Sequence, residues 1–170
     1  MDTATPSTEP TVHRYHARCT WNGSTGAGYE QYPRAHSAGA PPAAAVLSLS
    51  ADPAFRGDPA QLNPEQLLVL AAASCQLLSF LAVAARSRVN VVSYADEAEG
   101  EMSEADKPLR VGTIRLRPRI VLAPMPGSET TEPAADEARI RRLIELAHRQ
   151  CYIANSLKTE VMIEPTIEWQ

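Results

Sequence analysis

From Val12 onward, apolar and polar positions alternate. Tyr15, Ala17, Cys19 and Trp21 fall on one face of an extended segment, with Arg14, His16, Arg18 and Thr20 on the other. That period of two predicts a half-buried strand, with Cys19 turned inward as a small hydrophobe. The stretch Asn22-Gly23-Ser24-Thr25-Gly26-Ala27-Gly28 predicts a turn, because glycine reaches positive φ without a steric penalty. Two further extended runs follow: residues 29–37, pairing back on the first, and residues 44–50. Residues 52–62 read as a loop.

The period then changes. Pro64 to about Ser87 predicts a long helix, since Asn63 suits the N-cap, Pro64 the first helical position and Gln66 a capping box. The twenty residues between Glu65 and Arg86 carry no charge, which raises a membrane span as one possibility. Six of the twenty are alanine, and Gln76 lies between Ser74 and Ser79, so the expectation is a central helix buried by sheet or by a second subunit. Beyond it, Val92, Tyr94, Ala98 and Met102 share a parity, as do Ile114, Leu116, Ile120 and Leu122, predicting two strands. Glu97, Glu99 and Glu101 on one strand are placed to pair with Arg115, Arg117 and Arg119 on the other. Residues 123–136 read as a Pro/Thr-rich linker. A second helix, from about Asp136 to Gln150, has an apolar stripe of Ile140, Leu143, Ile144 and Ala147 that Cys151 continues. Val161, Ile163 and Ile167 mark a last strand. The reading is a flexible tail over residues 1–10 and a single α+β domain over 11–170, in the order βββ-α-ββ-α-β.

Composition narrows the function. The 170 residues carry 16 Lys and Arg against 20 Asp and Glu, a formal charge of −4, so no basic surface for nucleic acid is expected. The three cysteines, Cys19, Cys75 and Cys151, lack the paired spacing of a zinc site or a disulfide framework, and no His/Asp/Glu group has ligand spacing. Neither a bound cofactor nor a metal is expected. The first residues lack the charged and apolar regions of a signal peptide, which points to the cytoplasm and reduced thiols.

Two segments carry a resemblance. Asn63-Pro64-Glu65-Gln66-Leu67, followed by an Ala-rich helix with Cys75 ten residues after Glu65, resembles the first signature of the OsmC/Ohr family. Ala147-His148-Arg149-Gln150-Cys151, with Asn155-Ser156-Leu157 after it, is similar to the family's second-cysteine segment. The resemblance runs from about residue 12 to 168. It implies an intertwined homodimer and a thiol-dependent peroxidase acting on organic hydroperoxides. In that reading Cys75 attacks the peroxide and becomes a sulfenic acid, and Cys151 resolves it as a disulfide. An external dithiol, dihydrolipoamide-like or carried by a lipoylated protein, then reduces the disulfide. Glu65 matches the family's glutamate and Arg34 best matches its arginine, with Arg18 and Arg56 as rivals. His36 and Leu78 are expected to line the substrate pocket.

Physical chemistry explains the residue types. The thiolate is the nucleophile, a guanidinium beside it favours the anion, and a carboxylate would orient that guanidinium. Ten helical residues rise roughly 15 Å, so unless the helix breaks, Glu65 can serve a Cys75 only from a second subunit. Two departures from the family stand out: Tyr152 follows the second cysteine where the family often has proline, and Arg34 lies between Pro33 and Ala35 rather than after glycine. His148 either lowers the Cys151 pKa or simply suits the negative end of its helix. The alternative function is a non-catalytic protein of the same fold that binds a small apolar ligand or senses redox state, with Cys75 as reporter.

Overall fold

The structure, a computed structural model, describes residues 10–126 and 136–170. Most of the expected tail and linker lie outside the described residues. The chain divides into two compact units, one ending at Asn63 and one beginning at Pro64.

The first unit is a three-stranded antiparallel sheet of β1 (Arg18–Thr20), β2 (His36–Gly39) and β3 (Val46–Leu49), in that order. Cys19 lies opposite Ala38, and His36 opposite Leu49. Between β1 and β2 the chain turns through Thr25–Ala27, where Ser24 Oγ accepts the Gly26 N–H at 3.1 Å and Gly28 takes φ 86°. Trp21 Nε1 donates to the Pro33 carbonyl at 2.7 Å and closes the loop. Cys19 is exposed, correcting the expectation that it is buried. Alternation shows which residues share a face, not whether anything covers that face. The second strand is also shorter than expected, because residues 29–35 fold into the loop.

The second unit is built on α1 (Pro64–Arg86), whose buried residues Ala72, Gln76, Phe80, Val83 and Ala84 repeat at helical spacing on one face. The helix is long and apolar enough to cross a membrane by length and composition. Here its stripe forms the core of the unit, while Leu70 and Leu78 on its other faces stay exposed, so burial is one-sided rather than all round. α2 (Glu137–Gln150) is capped by Asp136, whose side chain accepts the Arg139 N–H at 2.6 Å. It packs Ile140, Ile144 and Ala147 against Phe80, Val83 and Ala84 of α1. Gln76 donates to the Ile144 carbonyl at 3.5 Å between the two helices.

The strands of this unit differ from the expected order. Where two strands were read after α1 there are four: β4 (Asn90–Asp96), β5 (Glu99–Met102), β6 (Val111–Leu116) and β7 (Pro118–Ala123). The last strand is likewise two, β8 (Glu160–Ile163) and β9 (Thr166–Trp169), preceded by a short helix α3 (Tyr152–Ser156). Each long run is bent once. At the bend Asp96 Oδ1 accepts the Arg117 N–H at 2.7 Å, and Glu164 N–H donates to the Leu116 carbonyl at 2.8 Å. One bent ribbon thus serves two sheets, β4-β7-β9 and β5-β6-β8, with β8 and β9 parallel to β6 and β7. The expected acid–base pairing is present: Arg115 meets Glu101, and Arg117 meets Glu99 at 3.0 Å. Arg119 pairs instead with Glu168 at 2.6 Å.

α1 crosses β5 closely at Gly100. A Cβ there would lie 2.5 Å from Val69 Cγ2, and valine has little rotamer freedom to yield. Gly100→Ala is therefore expected to cost about 1–3 kcal/mol in urea unfolding, and Val69→Ala in the same chain to recover part of the loss. An additive double mutant would disprove the contact.

Candidate active site

Cys75 sits midway along α1, half-buried, and Cys151 is almost fully buried at the end of α2. The stripe of α2 carries Cys151 inward, and there the helix stops. Cys151 takes φ −71°, ψ 109°, so it ends α2 and begins α3 at once. Its N–H donates to the His148 carbonyl at 3.1 Å, and its own carbonyl accepts the Asn155 N–H at 3.0 Å. This break aims the first amides of α3 at α1. Ile153 also packs into the second core cluster beside Ala72, fixing α3 against that helix.

The result is a hydrogen-bonded pair of unlike thiols. Burial pushes the Cys75 thiol up. The backbone of Ile153, the Cys151 thiol, the Ser79 hydroxyl and the backbone of Tyr152 outweigh that by hydrogen-bonding its sulfur, and hold it below the ordinary thiol value. Cys151 moves the other way. Burial, together with its hydrogen bond to Cys75 and repulsion from the Cys75 charge, pushes it up to about 11, against the amides of Ala154 and Ile153. At neutral pH Cys75 is the better anion and Cys151 keeps its proton and donates it.

The other expected residues are not at this pair within the unit. Glu65 lies in the first turn of the same unbroken helix, roughly 15 Å of rise from Cys75. One of its carboxylate oxygens is buried without a partner. Leu78 is exposed three residues after Cys75. Arg34 and His36 belong to the first unit. The Arg34 guanidinium donates to the carbonyls of Tyr29 and Tyr32 and lies 3.6 Å from the Tyr32 ring centroid. His36 Nδ1 is 2.9 Å from the Arg34 carbonyl. Of the rival arginines, Arg56 is paired with Glu30 and Arg18 stands on exposed β1. His148 meets Cys151 through its main chain.

Sequence reading missed Ser79 and the amides of residues 152 and 153. Ser79 could have been found, since it lies one helical turn after Cys75. The amides leave one trace, the absence of proline at 152. Among the described residues no group of three or more His, Cys, Asp and Glu side chains could hold a metal.

Tyr152 is the first residue of α3, a position that accepts proline. Tyr152→Pro should keep the helix but remove one donor to Cys75. The midpoint of Cys75 ionisation, followed by thiolate absorbance, is expected to rise. Cys151→Ala should raise it in the same direction, because the anion again loses a donor. An unchanged midpoint in both variants would contradict the assigned hydrogen bonds.

The family model described as OsmC-like protein matches residues 57–166. Among solved structures, the chain is similar to an OsmC-like protein of unknown function from Vibrio cholerae, with 31% identity and TM-score 0.77, over 91% of this chain and 100% of that one. It also shares its fold with an organic hydroperoxide resistance protein from Elizabethkingia anophelis, at 15% identity and TM-score 0.66, over 95% and 100% of the two chains. A third likeness, at 13% identity and TM-score 0.63, is to an organic hydroperoxide resistance protein from Legionella pneumophila, over 94% and 99%. No curated protein sequence matches the chain. By its matched residues and its fold, the chain belongs to the OsmC-like family.

Proposed function

We propose that this protein is a cysteine-based peroxidase that reduces organic hydroperoxides in defence against oxidative stress. The observation that carries the reading is the unequal thiol pair, one sulfur poised as an anion and the other kept as a proton donor. The Cys75 thiolate attacks the terminal peroxide oxygen, the O–O bond breaks, and the leaving alkoxide takes a proton to become the alcohol. The sulfenic acid on Cys75 then meets the Cys151 thiol. The S–S bond forms, and the sulfenic hydroxyl leaves as water with the Cys151 proton. An external dithiol of the dihydrolipoamide type, free or on a lipoylated protein, reduces the disulfide and is itself oxidised to one. This cycle suits the cytoplasm, where such dithiols stay reduced.

A homodimer completes the site. Glu65 is too far along α1 to serve its own Cys75, so we assign it to the thiol of a second copy. Exposed Leu70 and Leu78 on α1 give that copy an apolar surface to cover. Leu78 then forms part of an oily surface that favours alkyl peroxides over hydrogen peroxide. Support comes from the hydroperoxide resistance proteins that share the fold.

Peroxide consumption with a dithiol tests the reading. Cumene hydroperoxide should be used faster than hydrogen peroxide, and Cys75→Ser should remove turnover. Cys151→Ser should leave the first step intact, with a sulfenate that dimedone traps. Turnover that survives in Cys75→Ser rejects the peroxidase. For the assembly, sedimentation of the wild type should give the mass of two chains, and Leu78→Asp should shift it toward one.

A further inference from the structure

α2 borders an open groove of about 340 Å³, with β8 and the turn after it on the opposite wall. That volume lies at the lower end of small-molecule pockets, roughly 300–1,000 Å³. Its apolar lining is Ile144, Val161, Ile163 and Pro165. Glu145 and Arg149 also line it, one helical turn apart. Such a pair commonly bridges across a helix surface, yet here neither side chain has an ion-pair partner among the described residues. Arg141, on the same wall, is already neutralised by Glu137 at 2.7 Å. His148 adds a ring Nδ1 that is buried without a hydrogen-bond partner, although such atoms are normally satisfied.

An aliphatic lining with one free cation and one free anion matches a molecule that carries both charges and an aliphatic body. We propose that this groove binds a small α-amino acid with an aliphatic side chain. Its carboxylate is held by Arg149 and His148, its ammonium by Glu145, and its side chain rests on Ile144, Val161 and Ile163. The charge-assisted contacts fix the orientation, and the aliphatic lining selects against polar side chains. The occupant lies beside the last turn of α2, where the Cys151 N–H meets the His148 carbonyl. The site stands on its own observations and does not depend on peroxidase chemistry.

Titration of the full chain with L-leucine, followed by amide and methyl NMR, tests the assignment. Saturable shifts are expected at Ile144, Val161 and Ile163, with an affinity near about 1 mM or tighter. Removing either charge from the probe, as in 4-methylpentanoate or isoamylamine, should weaken binding roughly tenfold. Arg149→Gln and Glu145→Gln should each weaken leucine by a similar factor, while Glu145→Gln leaves 4-methylpentanoate unaffected. The proposal is overturned by shifts that do not saturate, by 4-methylpentanoate binding as well as leucine, or by leucine affinity that survives Arg149→Gln.

Discussion

Two sulfurs are hydrogen-bonded to each other, and the site depends on how unequally they hold their protons. In free solution the two thiols would be equivalent. Here the donors around Cys75 and the burial of Cys151 separate them, and their mutual hydrogen bond reinforces the separation, because the proton on one sulfur stabilises the charge on the other. The arrangement needs α1 unbroken past Cys75 and α2 broken at Cys151. Had α2 continued through residue 152, the amides of residues 152 and 153 would point along the helix to its own carbonyls and would be lost to Cys75. The break is therefore as much a part of the site as the cysteines.

A second constraint comes from apolar surface. α1 has a continuous apolar sequence but buries only one stripe of it, and Leu78 remains 64% exposed. The first unit is shorter of core still: Leu49 of its sheet and Ser50 just after it are buried, whereas Tyr15, Tyr29 and Val46 are exposed. Three short strands need a covered apolar face to persist in water. Each unit therefore leaves apolar area that burial would stabilise, at about 25 cal/mol per Å².

What was legible in the sequence follows from what each signal encodes. Helix ends are written locally: Pro64 and Arg86 bound α1 almost as read, and Asp136 caps α2 as its side chain allows. The parity of β6 and β7 was also legible, since Ile114, Leu116, Ile120 and Leu122 are all buried, whereas in β4 a bulge between Val91 and Ser93 leaves Val92 exposed and packs Val91 on the core. Their bends were not, because a period of two survives a change of sheet. Pro118 and Pro165 at or beside the bends were the available hints, proline being tolerated where a ladder is interrupted. Cys19 shows the same limit. The meeting of Cys75 with Cys151 across 76 positions had no local signal at all and rested on the family resemblance. The amide donors were the least legible part, since every residue but proline has the same N–H.

Those amides also favour the Cys75 anion. A sulfur pulled far below ambient pH is fully ionised but a poorer nucleophile, and the best attacking thiol has a pKa near the pH at which it works. The Arg34 guanidinium, satisfied within its own unit by two carbonyls and a tyrosine face, is not what lowers Cys75 here.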